Sequence, residues 1–195
     1  MNLESIDKAL FLALNKYHSS SLDQIMFDSR DLLLWAPLAL LSIYIFINYK
    51  RNSTRPHTLT KTVIFSIFII LQILLCEKLL PEFIDPLIHR ERPFYDPEIL
   101  KLFEFGDFDF PQTVGFYSSK ACAVTAIATF FLSFKTTNIW LKVALLFWAI
   151  FISYNRIYIG AHYPFNIIVS DLLGVCIGML TYYYYEYLNK HVMII

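Results

Sequence analysis

Three short stretches of this 195-residue chain hold side chains suited to one kind of chemistry. Asp85, His89, Arg90, Glu91, Arg92 and Pro93 lie in the first. The second holds Ser118, Ser119 and Lys120, and the third runs from Asn155 and Arg156 through His162 to Asn166. Arginines and a hydroxyl beside a histidine suit a phosphate ester. Arginine grips phosphate oxygens with a planar fork, and serine adds a hydrogen bond. A helix N-terminus supplies amides and a favourable dipole. A histidine can then attack phosphorus as a covalent nucleophile.

These stretches must be brought together, and the apolar pattern indicates how. The chain is 57% hydrophobic and 16% charged, more apolar than one soluble core of this size can hide. Five stretches, about 32–49, 62–80, 115–134, 138–154 and 165–185, are apolar enough to cross a bilayer. Each approaches the roughly 17–25 residues that a crossing needs. Ahead of them, Leu3, Ile6, Leu10, Phe11, Leu14 and Tyr17 fall on one helical stripe interrupted by Glu4, Asp7, Lys8 and Lys16. That pattern suits a helix lying in the membrane interface. The expected fold is an all-α integral membrane bundle of five transmembrane spans with an interfacial amphipathic N-terminal helix. It reads as a single domain over 1–195: interfacial helices in 1–30, two spans in 32–80, an outer loop in 81–114 and three spans in 115–187. Tyr182–Tyr185 reads as an interfacial aromatic belt.

Charge sets the orientation. Lys50, Arg51, Arg55, Lys61, Lys135, Lys142 and Lys190 fall on one side against a single acid, Glu186. The positive-inside rule makes that side cytoplasmic. All three reactive stretches then share the outer face, so they can meet in one pocket. An acidic run at Glu104, Asp107 and Asp109 reads as a polar lid over it, with oxygen ligation of a divalent cation as the less favoured reading.

Composition also excludes. Sixteen basic and sixteen acidic residues give no net charge, which argues against a nucleic-acid partner. Cys76, Cys122 and Cys176 lack zinc or redox spacing and read as buried thiols. The first residues carry Glu4 and Asp7 and lack the basic region and small-residue cleavage site of a signal peptide.

The three stretches resemble the signature motifs of the type-2 phosphatidic acid phosphatase superfamily, also called the vanadium haloperoxidase-like fold, in its bacterial membrane lipid phosphatase branch. The family pattern is a Lys, six residues, then Arg-Pro; then Pro-Ser-Gly-His or Ser-Ser-His; then Ser-Arg, five residues, His, three residues, Asp. Order and spacing match closely over about 85–171, including the text around Arg156 and His162. By this resemblance Arg92, Arg156 and Ser118 would hold phosphate, and His162 would be the nucleophile that becomes phosphohistidine. The resemblance implies no metal and no cofactor.

Three positions depart from the pattern. Asp85 stands where the family has its phosphate-binding Lys, Lys120 where it has the leaving-group acid, and Asn166 where it has the nucleophile-orienting Asp. A carboxylate at 85 repels a phosphate dianion. A lysine of ordinary pKa, about 10.4, is a poor acid near neutrality. Asn166 can accept the imidazole proton but cannot offset the charge, and the analogous change in a serine protease costs about 10⁴ in rate. Asp85 and Lys120 are expected to pair across the pocket. Arg90 is close enough to supply the cation lost at 85, and Asp171, an ionisable residue within a span, is a further accessory candidate.

The reading is therefore an integral membrane lipid phosphate or diphosphate phosphatase of reduced activity, acting at the outer leaflet of the inner membrane. Its pocket would face the periplasmic side. Undecaprenyl diphosphate, phosphatidate, phosphatidylglycerophosphate and a lipid A phosphate are the candidate substrates. The alternative is an inactive pseudophosphatase that binds a lipid headgroup or serves a protein partner in the membrane.

Overall fold

The computed structural model describes residues 2–16, 19–28, 58–101, 114–135 and 137–191. The span expected over 32–49 and the acidic run at 104–109 lie outside these residues. Within them the chain is all-helical, with one isolated bridge between Glu91 and Val114 and no strand. The helices are α1 (Leu3–Leu14), α2 (Ser20–Asp28), α3 (Thr58–Leu74), α4 (Leu80–Ile84), α5 (Pro97–Leu100), α6 (Ser119–Ser133), α7 (Ile139–Tyr158) and α8 (Pro164–His191). A π-helical turn, Leu75–Leu79, joins α3 to α4 in one continuous apolar rod.

Local chemistry starts and stops these helices. The Asn2 side chain caps α1 by accepting from Ser5 N at 2.9 Å, and Asn138 caps α7 by accepting from Trp140 N at 2.8 Å. At its far end α7 closes in a Schellman turn. Gly160 N donates to Ile157 O at 3.0 Å and Ala161 N to Arg156 O at 3.0 Å, with Gly160 at φ 72°. Glycine takes that left-handed conformation without steric penalty. The turn reverses the chain at once, so His162 N also reaches Arg156 O, at 3.2 Å.

Among the described residues, three helical segments are long and apolar enough to cross a membrane: Val63–Ile84, Ile139–Tyr158 and Pro164–His191. The apolar helix Ser119–Ser133 is shorter, because 114–118 runs extended to reach the site. α6 is the centre of the bundle, with Ala121, Cys122, Ala123, Val124, Ala126 and Ile127 all fully buried. It meets α8 at Gly174 and Gly178, where an added Cβ would lie 2.6 Å from Cys122 O and 2.5 Å from Ala126 O. Small residues four apart let two membrane helices approach this closely.

The end of the bundle away from the site is filled by rings. Phe65, Phe130, Phe134 and Tyr185 pack with centroids 5.1–6.0 Å apart. The tyrosine run therefore splits: Tyr183 and Tyr184 are exposed, while Tyr185 is buried in the core. A helix turns 100° per residue, so four consecutive tyrosines cannot share one face. Cysteine usage splits likewise. Cys76 and Cys122 are buried with their sulfurs 3.6 Å apart, whereas Cys176 is exposed on α8.

On α1, Leu3, Ile6, Leu10 and Leu14 are exposed, and the face turned to the bundle carries Asp7, Phe11 and, just past the helix, Asn15. Phe11 packs edge-on against Tyr163 at 5.6 Å. The Asn15 amide donates to Ile157 O at 3.3 Å.

Candidate active site

The site forms where α6 begins, α7 ends and α8 begins, under the segment that leads to α5. Arg156 closes α7, the Schellman turn carries the chain round, and His162 follows six residues later. Arg156 donates to the Asn155 side chain, whose amide donates to Met26 O of α2 at 2.5 Å. Asn155 thus fixes the arginine from behind. Arg92 approaches from the opposite wall, donating to Ala161 O at 3.2 Å, with its Nη1 3.3 Å from Nε2 of His162.

The Arg92 contact fixes the histidine tautomer. A guanidinium only donates, so Nε2 must present its lone pair and the ring proton sits on Nδ1. Nδ1 is buried without a hydrogen bond. Burial, then Arg92 and Arg156, push the His162 pKa well below the usual imidazole range, and the carbonyls of Gly115 and Phe116 pull only partly the other way. The ring is therefore neutral, with Nε2 turned toward the arginines, as an imidazole nucleophile requires. A nucleophile lost only on protonation fails below its own pKa. The acid limb of a kcat/KM profile should therefore lie below pH 6.5, the ordinary histidine value. A profile of phosphate release between pH 4 and 8 reads it.

Ser118 supplies the third element. It is the N-cap of α6 but makes no capping bond, and its backbone N–H donates to Ser170 Oγ at 2.9 Å. Its own Oγ is buried without a partner. A buried hydroxyl left unsatisfied at a helix N-terminus fits an anion that would occupy it.

Gly115 clears the space for Arg92. A Cβ there would stand 2.5 Å from Nη2 and 2.7 Å from Cζ of that guanidinium. Gly115→Ala must therefore displace Arg92. Inorganic phosphate should bind about 10–100-fold more weakly, the worth of charged hydrogen bonds of about 1.5–3 kcal/mol. Isothermal titration in detergent checks this.

The three departing residues are placed as follows. The Asp85 carboxylate accepts Tyr117 N at 3.1 Å, and its charge bears on Arg92, whose pKa burial lowers and Asp85 partly restores. Asp85 thus accepts a backbone amide just ahead of α6, with Arg92 as an electrostatic neighbour. Lys120 is half-buried in the first turn of α6, and its charge acts on Glu77. Asn166 is fully buried, and its Oδ1 accepts from Arg90 Nη1 at 2.6 Å.

Arg90 is held between α1 and the start of α8. Its Nη2 lies 2.7 Å from Asp7 Oδ2 of α1, and its guanidinium sits 4.2 Å above the Tyr163 ring. Its neighbours His89 and Glu91 are exposed, as a solvated loop would have them. Asp171 accepts from Thr125 Oγ1 at 2.8 Å and Ser153 Oγ at 3.0 Å, tying α8 to α6 and α7.

Two residues escaped sequence reasoning. Glu77, on the π-helical turn, has Oε1 buried without a partner and lies within electrostatic reach of Lys120 and Arg156. An acid inside a span was the available signal. Asp7 left none, because its role depends on a partner 83 positions away.

Among the described residues no cluster of three metal-ligating side chains occurs. The sequence model of the PAP2 superfamily matches residues 62–190, two thirds of the chain. The chain belongs to this superfamily. It is similar to the lipid A 4'-phosphatase of Porphyromonas gingivalis, with 26% identity over 93% of this chain and 74% of that protein. It is equally similar to the lipid A 4'-phosphatase of Bacteroides thetaiotaomicron, with 26% identity over 93% of this chain and 77% of the relative. The crystal structure of Aquifex aeolicus LpxE shares the fold, with a TM-score of 0.63 and 24% identity over 93% of this chain and 98% of that one.

Proposed function

We propose that this chain is an integral membrane lipid phosphatase that cleaves a phosphate monoester from a phosphorylated glycolipid through a phosphohistidine. The observation that carries the reading is the buried His162, its Nε2 3.3 Å from Nη1 of Arg92. Family membership and two lipid A 4'-phosphatase relatives support the substrate class.

In this reading Arg92, Arg156 and Ser118 hold the phosphate oxygens and Nε2 of His162 attacks phosphorus. The N–P bond forms as the P–O bond to the lipid breaks. The leaving oxygen takes a proton delivered from the Lys120 position, and water then hydrolyses the phosphohistidine. The chain forms one domain of five spans, the stretch 32–49 included. Its pocket lies at the outer leaflet of the inner membrane, facing the periplasm. The basic residues between spans support that orientation. The exposed leucines of α1 support its placement in the interface.

The Asn166 oxygen favours a second reading, because Arg90 already occupies it. A site whose orienting group is committed elsewhere could bind a lipid headgroup without turnover. Phosphate release from lipid A, phosphatidate and undecaprenyl diphosphate in detergent micelles separates the two. Faster release from lipid A supports the proposal. A silent chain on all three favours the binding-only reading.

A further inference from the structure

We propose that Asp7, on the N-terminal helix, is a positioning residue for His162, acting through Arg90 and the residues that follow the histidine, Tyr163 to Asn166. This rests on the phosphatase reading and extends it to a part of the chain outside the signature stretches.

Asp7 is 4% exposed, and each carboxylate oxygen meets the far side of the site. Oδ2 lies 2.7 Å from Arg90 Nη2, while Oδ1 accepts Phe165 N at 2.9 Å in the first turn of α8. Arg90 passes the constraint inward. Its other nitrogen, Nη1, donates to Asn166 Oδ1 at 2.6 Å, and its guanidinium covers the Tyr163 ring. His162 is thus followed in the chain by three residues, Tyr163, Phe165 and Asn166, that answer to the Asp7–Arg90 pair. Lys8 holds the same helix in register by ion pairs to Asp96 at 2.9 Å and Glu98 at 3.0 Å, and the Tyr163 hydroxyl donates to Asp96 at 2.7 Å.

Anchoring alone does not account for the pair. Phe11 already seats α1 against Tyr163, Ile157 and Ile99, and a buried ion pair is a weak source of stability beside apolar contacts. Electrostatics supplies a reason. Attack by Nε2 puts positive charge on the His162 ring, which already faces Arg92 and Arg156. Arg90 adds a third cation, stacked over the ring of the next residue, Tyr163. Asp7 neutralises it, so charge can develop on the ring while Asn166 stays fixed. Asp7 thereby serves, at one remove, as the carboxylate absent from position 166.

Two probes separate this role from simple anchoring. Inorganic phosphate reports ground-state binding. Orthovanadate takes the trigonal-bipyramidal geometry of phosphoryl transfer and reports an apical bond to the histidine. Asp7→Asn is isosteric and keeps the Phe165 acceptor. It should weaken vanadate about 10–100-fold, the usual effect of removing an outer partner of a ligating histidine, and leave phosphate within about 2-fold. Asn166→Asp, which returns the carboxylate, should restore vanadate affinity in the Asp7→Asn background. Equal losses of both probes, or no recovery in the double variant, overturn the proposal. If Asp7→Asn lowers the unfolding midpoint, the double variant, which carries the same lesion in α1, decides by its recovery. Vanadate binding indifferent to His162→Ala would instead overturn the phosphatase reading, and this proposal with it.

Discussion

His162→Ala is expected to reduce phosphate release from lipid A in detergent micelles by about 10³-fold, to the background without protein. Loss of a covalent nucleophile from intact machinery costs on the order of 10⁶, and the members of such a unit are strongly non-additive. Here the leaving-group acid and the orienting carboxylate have already been exchanged, so less remains to lose. The substitution should leave inorganic phosphate bound, because Arg92 reaches Ala161 O as well as the ring and Arg156 is held by Asn155. Ser118 keeps its unpartnered hydroxyl, which can still donate. A drop in turnover with little change in phosphate affinity separates a nucleophile from a residue that merely binds.

The second large effect runs in the opposite direction. The variant Asp85→Lys/Lys120→His/Asn166→Asp should raise kcat by about 10²–10⁴, measured as phosphate release from the same micelles. A positioned general acid contributes about 10²–10⁴, and an orienting carboxylate contributes a comparable amount. The two gains overlap if Asp7 already supplies part of the second through Arg90. The variant should also be less stable. Asp85 accepts Tyr117 N at 3.1 Å, and a buried amide left unpaired costs about 1–3 kcal/mol. Faster turnover with a lower unfolding midpoint is the expected pair of results. An unchanged rate would show that the three departures are neutral to the chemistry.

Much of the site was legible from spacing. His162 lies six residues past Arg156, and a Gly160 between them is what a helix needs to end and turn back. Ser118 could be placed at a helix start because an apolar run follows it. The positions of Arg90, Asp85 and Glu77 were not legible, for a common reason: each is decided by a partner distant in sequence. Periodicity places Arg90 in a loop but cannot show that α1 brings Asp7 to it. The expected link between Asp85 and Lys120 followed charge alone, and spacing gave no sign that Asp85 would accept the backbone amide of Tyr117.

The helical architecture followed from apolar content, but boundaries moved where local chemistry intervened. The second expected span, 62–80, extends to Ile84 because a π turn carries the helix onward. The fifth, 165–185, extends to His191, since polar residues near a membrane surface do not end a helix. The third begins at Ser119 rather than 115, because the chain ahead of it must stay extended for Gly115 to lie against Arg92. Gly174 and Gly178 went unread, because only the contact with α6 explains them.

The central claim is that phosphate passes through His162. Lipid A carrying ³²P at its phosphate monoester, incubated with the protein and quenched in alkali, preserves a phosphohistidine and destroys most phosphoserine. Digestion then locates the label. The account predicts base-stable, acid-labile label on the peptide containing His162, stronger in the triply reverted variant and absent from His162→Ala. Phosphate release without label at His162, or label on another residue, would contradict it.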